Sequence, residues 1–215
     1  MWFPLAANDS AGGAKLRCAR LQPLVRILAL GGSLREASFN RALLHEAAAL
    51  APAGTELDLS HVASTGSLPL FNQDIVDRGG PPAEVAQLKD ALRAADGLLL
   101  ATPEYNWGIP GFLKNAIDWA SRPASEIPRV FGDLPVALIG AGGGGGTRLA
   151  QSAWMSVFRY LRMRPWSDQA LYVDRARDRF DEHGRLCHSA TSEQLRAVVT
   201  GFAAHCAALP RTRSS

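Results

Sequence analysis

Residues 25–40 read VRILALGGSLREASFN, and this stretch decides the fold. Its first six residues are apolar except for Arg26, as expected of a short buried strand, and Gly31-Gly32 ends that strand. From Asn40 to Leu50 apolar residues recur at the spacing of one helix face. A buried strand that runs through a glycine turn into a helix is typical of a parallel sheet with helices on both faces.

The same alternation continues to the end of the chain. Four more strands are predicted at residues 55–59, 97–102, 134–139 and 169–173, a loop at 68–74, and helices at 81–95, 109–120, 147–161 and 191–209. Five such units predict an α/β, flavodoxin-like, doubly wound five-stranded parallel sheet of order 2-1-3-4-5. In that order, ligands bind at the carboxyl ends of strands 1 and 3.

Charge is concentrated at the two ends of the chain. The 215 residues hold 23 Lys+Arg and 20 Asp+Glu, a formal net charge of +3, with a pI near 9.0. Residues 1–23 and 210–215 each carry a net +2, so residues 24–209 carry −1. We predict a disordered extension over 1–23, one flavodoxin-like domain over 24–209 and a flexible tail over 210–215. A nearly neutral body predicts no nucleic-acid partner.

The hydropathy and the number of cysteines indicate where in the cell the protein is expected. No apolar run approaches the roughly 18 residues of a membrane span, so no membrane association is expected. The three cysteines, Cys18, Cys187 and Cys206, are odd in number, which favours a reducing cytoplasm over a disulfide framework. Cys187-His188 and His205-Cys206 lack the spacing of metal ligands, so no metal site is predicted.

The loop after the first strand suits an anion. It holds Ser33, Ser38 and Asn40 as donors and Arg35 as a fixed cation, directly before a helix N-terminus. Unpaired backbone N–H groups and the helix dipole favour a phosphate there, and a guanidinium binds two of its oxygens at once. The alternative is that Ser38 or Asn40 only caps the helix and Arg35 is solvated.

The loop after the third strand, residues 102–110, reads TPEYNWGIP. Two prolines and a glycine stiffen it, so its backbone can be held ready for a planar ligand. Tyr105 and Trp107 add ring surface and Asn106 an amide. The two aromatic residues could equally form an oligomer contact, and both uses can coexist.

The glycine run at residues 140–146 matches G-x-G-x-x-G, but it follows the fourth strand, whereas a dinucleotide fingerprint belongs to the first βαβ unit. It also resembles a Walker A loop in which Gly146 takes the lysine position, so the cation for the β- and γ-phosphates is missing. We interpret the run as a place of close approach between backbone and ligand.

No residue pattern indicates acid–base catalysis by side chains: neither a G-x-S-x-G nor an H-E-x-x-H motif occurs. A bound cofactor is therefore expected to do the chemistry, and no catalytic side chain is predicted.

Three segments together carry a family resemblance: GSLREASFN at 32–40, PEYNWGIPGFLKNAIDW at 103–119 and the late glycine loop. Over residues 25–209 the chain resembles the NADPH-dependent FMN reductases, a group of flavodoxin-like quinone, chromate and azo-dye reductases. The resemblance implies an FMN cofactor, NADPH or NADH as co-substrate, and a homodimer or homotetramer. It also implies these cofactor-binding residues: Ser33, Arg35, Ser38 and Asn40 at the phosphate; Pro103, Glu104, Tyr105, Asn106 and Trp107 along the ring; and Gly142, where relatives usually carry a serine.

The function expected from this resemblance is an FMN-dependent NAD(P)H oxidoreductase. Hydride would pass from NAD(P)H through flavin N5 to a small-molecule acceptor: a quinone, azo compound, free flavin or metal oxyanion. The alternative is a flavodoxin-type FMN electron carrier that does not oxidise NAD(P)H itself. Its near-neutral body argues against that alternative, because carriers usually dock through a strongly charged face.

Overall fold

A computed structural model describes residues 24–62 and 66–211. One parallel sheet forms its centre. Its strands are β1 (Val25–Gly31), β2 (Thr55–Asp58), β3 (Gly97–Ala101), β4 (Pro135–Ala141), β5 (Arg164–Pro165) and β6 (Leu171–Val173). The helices are α1 (Phe39–Ala49), α2 (Gln73–Gly79), α3 (Ala83–Ala94), α4 (Gly111–Ala120), α5 (Ile127–Val130), α6 (Arg148–Tyr160) and α7 (Ser189–Ala208).

The strand order is β2-β1-β3-β4-β5, and β6 also pairs with β4, all of them parallel. The predicted order is confirmed. The fifth strand predicted at 169–173 is β6, which pairs with Ile139–Ala141, and an additional short strand, β5, pairs with Pro135–Val136 at the other end of β4.

Two hydrophobic cores lie on the two faces of the sheet. One packs α1 and α7 against the sheet, through residues such as Leu43, Val199 and Phe202, and the other packs α3, α4 and α6 around Trp119 and Trp154. Strands β1, β3 and β4 are covered on both faces, which explains why they are apolar along their whole length.

Two local features differ from expectation. The loop expected over residues 68–74 ends at a short helix, α2, whose N-cap Asn72 accepts a hydrogen bond from the Asp74 N–H at 2.9 Å. Within the segment expected to be a tail, Arg211 is only 7% exposed. Its guanidinium donates to the carbonyls of Leu92, Arg129 and Gly132 at 2.8–3.0 Å, satisfying acceptors at the ends of α3 and α5.

Residues 1–23 and 212–215, with the extension predicted there, lie outside the described part of the chain. Within the part that is described, no helix combines the length and hydropathy that a membrane crossing requires.

Candidate active site

The carboxyl ends of the central strands enclose a cavity of about 490 Å³. Four loops form its wall, those after β1, β3, β4 and β6. The lining residues are Ser33, Arg35, Ser38, Phe39, Asn40, Pro103, Glu104, Tyr105, Ala141, Gly142, Gly143, Gly144, Arg175, Ala176, Arg177 and Asp178. A cavity of this size is ordinary for a cofactor site, and its position is the one that the strand order predicts.

Close backbone contacts fix the first two loops against each other. The Gly32 N–H donates to the Ala101 carbonyl at 2.8 Å, and a Cβ on Gly32 would lie 2.5 Å from Cδ of Pro103. Only glycine permits this approach. At the base of the second loop, the buried Thr102 hydroxyl donates to the Pro103 carbonyl and accepts from the Trp154 indole at 3.2 Å.

The four residues expected at a phosphate do not all have free polar groups. Ser38 caps α1, its Oγ accepting from the Arg41 N–H at 3.3 Å, and its own proton is left to donate. Asn40 is 4% exposed, and its amide oxygen and one amide N–H bond to the backbone of Ala141, with both bonds at 2.9 Å. Asn40 therefore joins α1 to the end of β4. Ser33 and Arg35 line the cavity with no such restraint.

Arg175 and Arg177 are two further cations in this cavity that the sequence analysis missed, and Arg175 lies 3.9 Å from the Asp174 carboxylate. Arg177 lies on the turn after β6 and lines the same cavity as Arg35. Neither guanidinium forms an ion pair with another of the described residues. A cue was present in the sequence: the carboxyl end of every strand in such a sheet faces the ligand edge, and DRARDR follows the predicted fifth strand.

The turn that carries Arg177 is attached to the glycine loop. The N–H groups of Arg175 and Ala176 donate to the carbonyls of Gly143 and Gly142 at 3.0 and 2.9 Å. Just before the turn, Asp174 binds Arg179 at 3.1 Å, and this hydrogen bond holds the pKa of the Asp174 carboxyl below its usual value. The Asp174 charge is thus engaged with Arg179.

Glu104 lines the cavity, and its side-chain carboxylate bonds to another part of the protein. Its Oε2 accepts hydrogen bonds from the N–H groups of Leu149 and Ala150 at 2.8 and 3.0 Å. These belong to the first turn of α6, whose own N-cap, Thr147, provides no side-chain bond. The carboxylate therefore satisfies two unpaired donors and faces the positive end of the helix dipole.

The glycine run has two parts with different roles. A Cβ on Gly140 would lie 2.0 Å from the Thr147 hydroxyl, and one on Gly142 would lie 2.7 Å from the Gly146 carbonyl. These glycines are required by the packing of the chain itself, and Gly142 also lines the cavity. At Gly143 and Gly144, which line the cavity, a Cβ would meet no atom within 4 Å. A ligand can therefore come close to the backbone of these two glycines.

Pro103 and Tyr105 also line the cavity, whereas Asn106 and Trp107 lie beyond it at the tip of the second loop. In the described ranges 24–62 and 66–211, no three metal-ligating side chains cluster.

The chain was then compared with known proteins. The sequence model of the NADPH-dependent FMN reductases matches residues 25–178. The chain belongs to this family. It is 39% identical over 172 residues to an NAD(P)H-dependent FMN reductase of Pseudomonas aeruginosa, covering 80% of this chain and 89% of that protein. It is 40% identical over 182 residues to a 2-hydroxy-1,4-benzoquinone reductase of a Burkholderia species, covering 84% and 95%.

A solved structure agrees with this assignment. The flavoenzyme NAD(P)H:(acceptor) oxidoreductase of Paracoccus denitrificans superposes with a TM-score of 0.74 at 28% identity, covering 86% of this chain and 99% of that one. Membership of the FMN reductase family confirms the predicted enzyme class, an FMN-dependent NAD(P)H oxidoreductase, and its cofactors. The electron-carrier alternative is not favoured.

The cavity fits FMN on its own chemistry. Three arginines, Arg35, Arg175 and Arg177, line the cavity together with Ser33 and Ser38, and Ser38 caps the N-terminus of α1, which suits a phosphate. The open backbone of Gly143 and Gly144 and the proline-stiffened loop at Pro103 suit a flat ring.

Proposed function

We propose that this chain reduces small planar acceptors, with quinones as the preferred class, at the four-loop cavity. The observation that carries the proposal is that the two ends of the cavity differ in chemistry. Cations and hydroxyls lie at the end nearest α1, and accessible backbone, with room for a flat ring, lies along the loops after β3 and β4. Relatives named as quinone reductases support the acceptor class.

We assign the phosphate to Ser33, Arg35 and Ser38, with Arg177 as a second cation. Bound FMN would supply the ring that accepts hydride from a nicotinamide and delivers it to the acceptor. The Ser38 hydroxyl can donate while its oxygen caps α1, so a single side chain orders the helix and binds the ligand. The two arginines neutralise the phosphate charge at an otherwise nearly neutral surface.

The loop after β3 would lie along the ring. Pro103 is buried against Gly32, and the next residue, Glu104, is bound to α6, so the backbone of these two residues is fixed before any ligand arrives. Such preorganisation lowers the entropy lost on binding. Asn40 contributes by holding Ala141, the last residue of β4, and hence the start of the glycine loop.

The test is reconstitution with FMN followed by anaerobic titration with NADPH and then 1,4-benzoquinone. We expect the yellow colour to be bleached by NADPH and restored by one equivalent of quinone. A protein that binds FMN but is reduced only by a protein donor would support an electron carrier instead. Steady-state rates with quinone, azo, free flavin and chromate acceptors would rank the acceptor classes.

We also propose a homodimer or homotetramer. Exposed apolar side chains on α6 support it, with Leu149, Met155 and Tyr160 exposed by 49, 40 and 63%. Light scattering of the purified holoenzyme would give the mass; a monomer at micromolar concentration would refute the proposal.

The free thiols of Cys187 and Cys206 are compatible with the proposed cytoplasmic location.

A further inference from the structure

The tip of the loop after β3 holds an unfavourable backbone conformation. Tyr105 and Gly108 exchange two backbone hydrogen bonds, of 3.3 and 3.0 Å, and close a two-residue turn. Both central residues are left-handed, with φ of 50° at Asn106 and 63° at Trp107. Asparagine tolerates this region, and the second position of such a turn is normally glycine. A tryptophan there is strained.

Nothing in the described part of the chain compensates for this strain. The Trp107 side chain is 78% exposed, and its indole makes no ring contact or hydrogen bond with the described residues. Trp119, Trp154 and Trp166 are all buried. A bulky aromatic residue that is both strained and exposed indicates a contact with something outside the chain.

The position of the turn indicates what that contact is. Tyr105 lines the cavity, and Trp107 follows it by two residues in the same turn. The base of the loop is fixed by the Gly32–Pro103 contact and by the bonds of Glu104 to α6. The indole is therefore carried on a rigid stem, two residues from a side chain that lines the cavity.

We propose that Trp107 is a specificity-determining residue on which planar aromatic acceptors stack as they enter the cavity. The proposal rests on the proposed function, since it assumes that small acceptors reach the site past this turn. Stacking on an indole discriminates by shape: flat aromatic rings gain contact area, and inorganic acceptors do not.

The discriminating variant is Trp107→Gly. It places Asn-Gly at the centre of the turn, the favoured sequence for this geometry, so the urea midpoint of unfolding should rise. The ratio of KM for 1,4-naphthoquinone to KM for ferricyanide should rise about fivefold, the effect of one lost aromatic contact. Trp107→Phe, which keeps a ring, should retain most of the wild-type ratio.

The matched control is Asp133→Gly, at another exposed residue with positive φ, 55°. It should also raise the midpoint and leave the KM ratio unchanged. A second readout needs no turnover: 1,4-naphthoquinone should quench an exposed tryptophan signal in the oxidised wild type that Trp107→Gly lacks.

An unchanged KM ratio in Trp107→Gly would overturn the proposal, and so would equal quenching in both proteins. A change of mass in light scattering, with equal effects on both acceptors, would assign Trp107 to a subunit contact instead. Failure of the wild type to oxidise NADPH with either acceptor would reject the proposed function, and the quenching measurement would still decide the role of Trp107.

Discussion

The side-chain amide of Asn40 forms a two-bond pair with the backbone of Ala141, donating to its carbonyl and accepting from its N–H, both at 2.9 Å. The pair joins residues 101 positions apart in the sequence. It acts as an extra strand partner at the end of β4 and so connects the first residues of α1 to the start of the glycine loop.

Asn40→Ala should therefore act on stability first. The change leaves two buried backbone groups of Ala141 without partners, so we expect the free energy of unfolding to fall by about 2–4 kcal/mol. Affinities for FMN and riboflavin should fall by the same factor, because the phosphate is not touched directly. Urea unfolding and fluorescence titration measure both. Unchanged stability with selective loss of FMN would make Asn40 a phosphate ligand after all.

Arg35→Ala and Arg177→Ala should act on the phosphate. Each removes a charge-assisted contact, so we expect the Kd of FMN to rise about tenfold or more while the Kd of riboflavin stays the same. Titration of the apoprotein with each flavin measures this. Arg159→Ala, an exposed arginine on α6, is the charge-matched control and should change neither Kd. If Arg177→Ala matches the control, Arg177 is not a ligand of the phosphate.

Glu104→Ala should destabilise α6. The variant leaves the Leu149 and Ala150 N–H groups without their acceptor, a capping loss of about 1–2 kcal/mol in the free energy of unfolding. Glu104→Gln keeps an acceptor oxygen without the charge and should lose about half as much. Thermal or urea unfolding of the apoprotein gives these values without interference from the cofactor. Wild-type stability in both variants would contradict the assigned role.

Gly140→Ala and Gly144→Ala form a matched pair within one loop. The first drives a Cβ into the Thr147 hydroxyl and the Thr102 carbonyl, and we expect a loss of about 2–3 kcal/mol in the free energy of unfolding. The second meets no atom within 4 Å and should change stability by less than about 0.5 kcal/mol. If the ligand contacts the backbone at Gly144, the Gly144→Ala variant should bind FMN more weakly while its free energy of unfolding stays close to that of the wild type.

Cys206 gives a prediction about pH. Burial raises the pKa of its thiol from 9.0 to about 12, so the folded state keeps a proton that the unfolded state loses between these values. Stability from this group is fully present below pH 9 and falls by about 1.4 kcal/mol per pH unit above it. The difference in unfolding free energy between wild type and Cys206→Ala should therefore shrink from pH 9 to 11. A difference independent of pH would reject the shifted pKa.

Most of the fold could be predicted because its determinants are local. A strand such as 97–102 is recognisable because every residue is apolar, and α4 because its apolar residues recur at helical spacing. Strand β5 could not be predicted, since it is only two residues long and exists through its pairing with β4. Helix α2 was missed because none of its residues is buried.

By itself the sequence determined the family, the strand order and the loops that meet at the site, since each depends on short motifs and on local periodicity. Only the tertiary structure decided what individual polar groups do there. Asn40 pairs with Ala141, Glu104 caps α6, and Arg177 joins Arg35 at the cavity. The reason is that hydrogen-bond partners far apart in sequence are set by sheet register and helix packing, which no local pattern encodes.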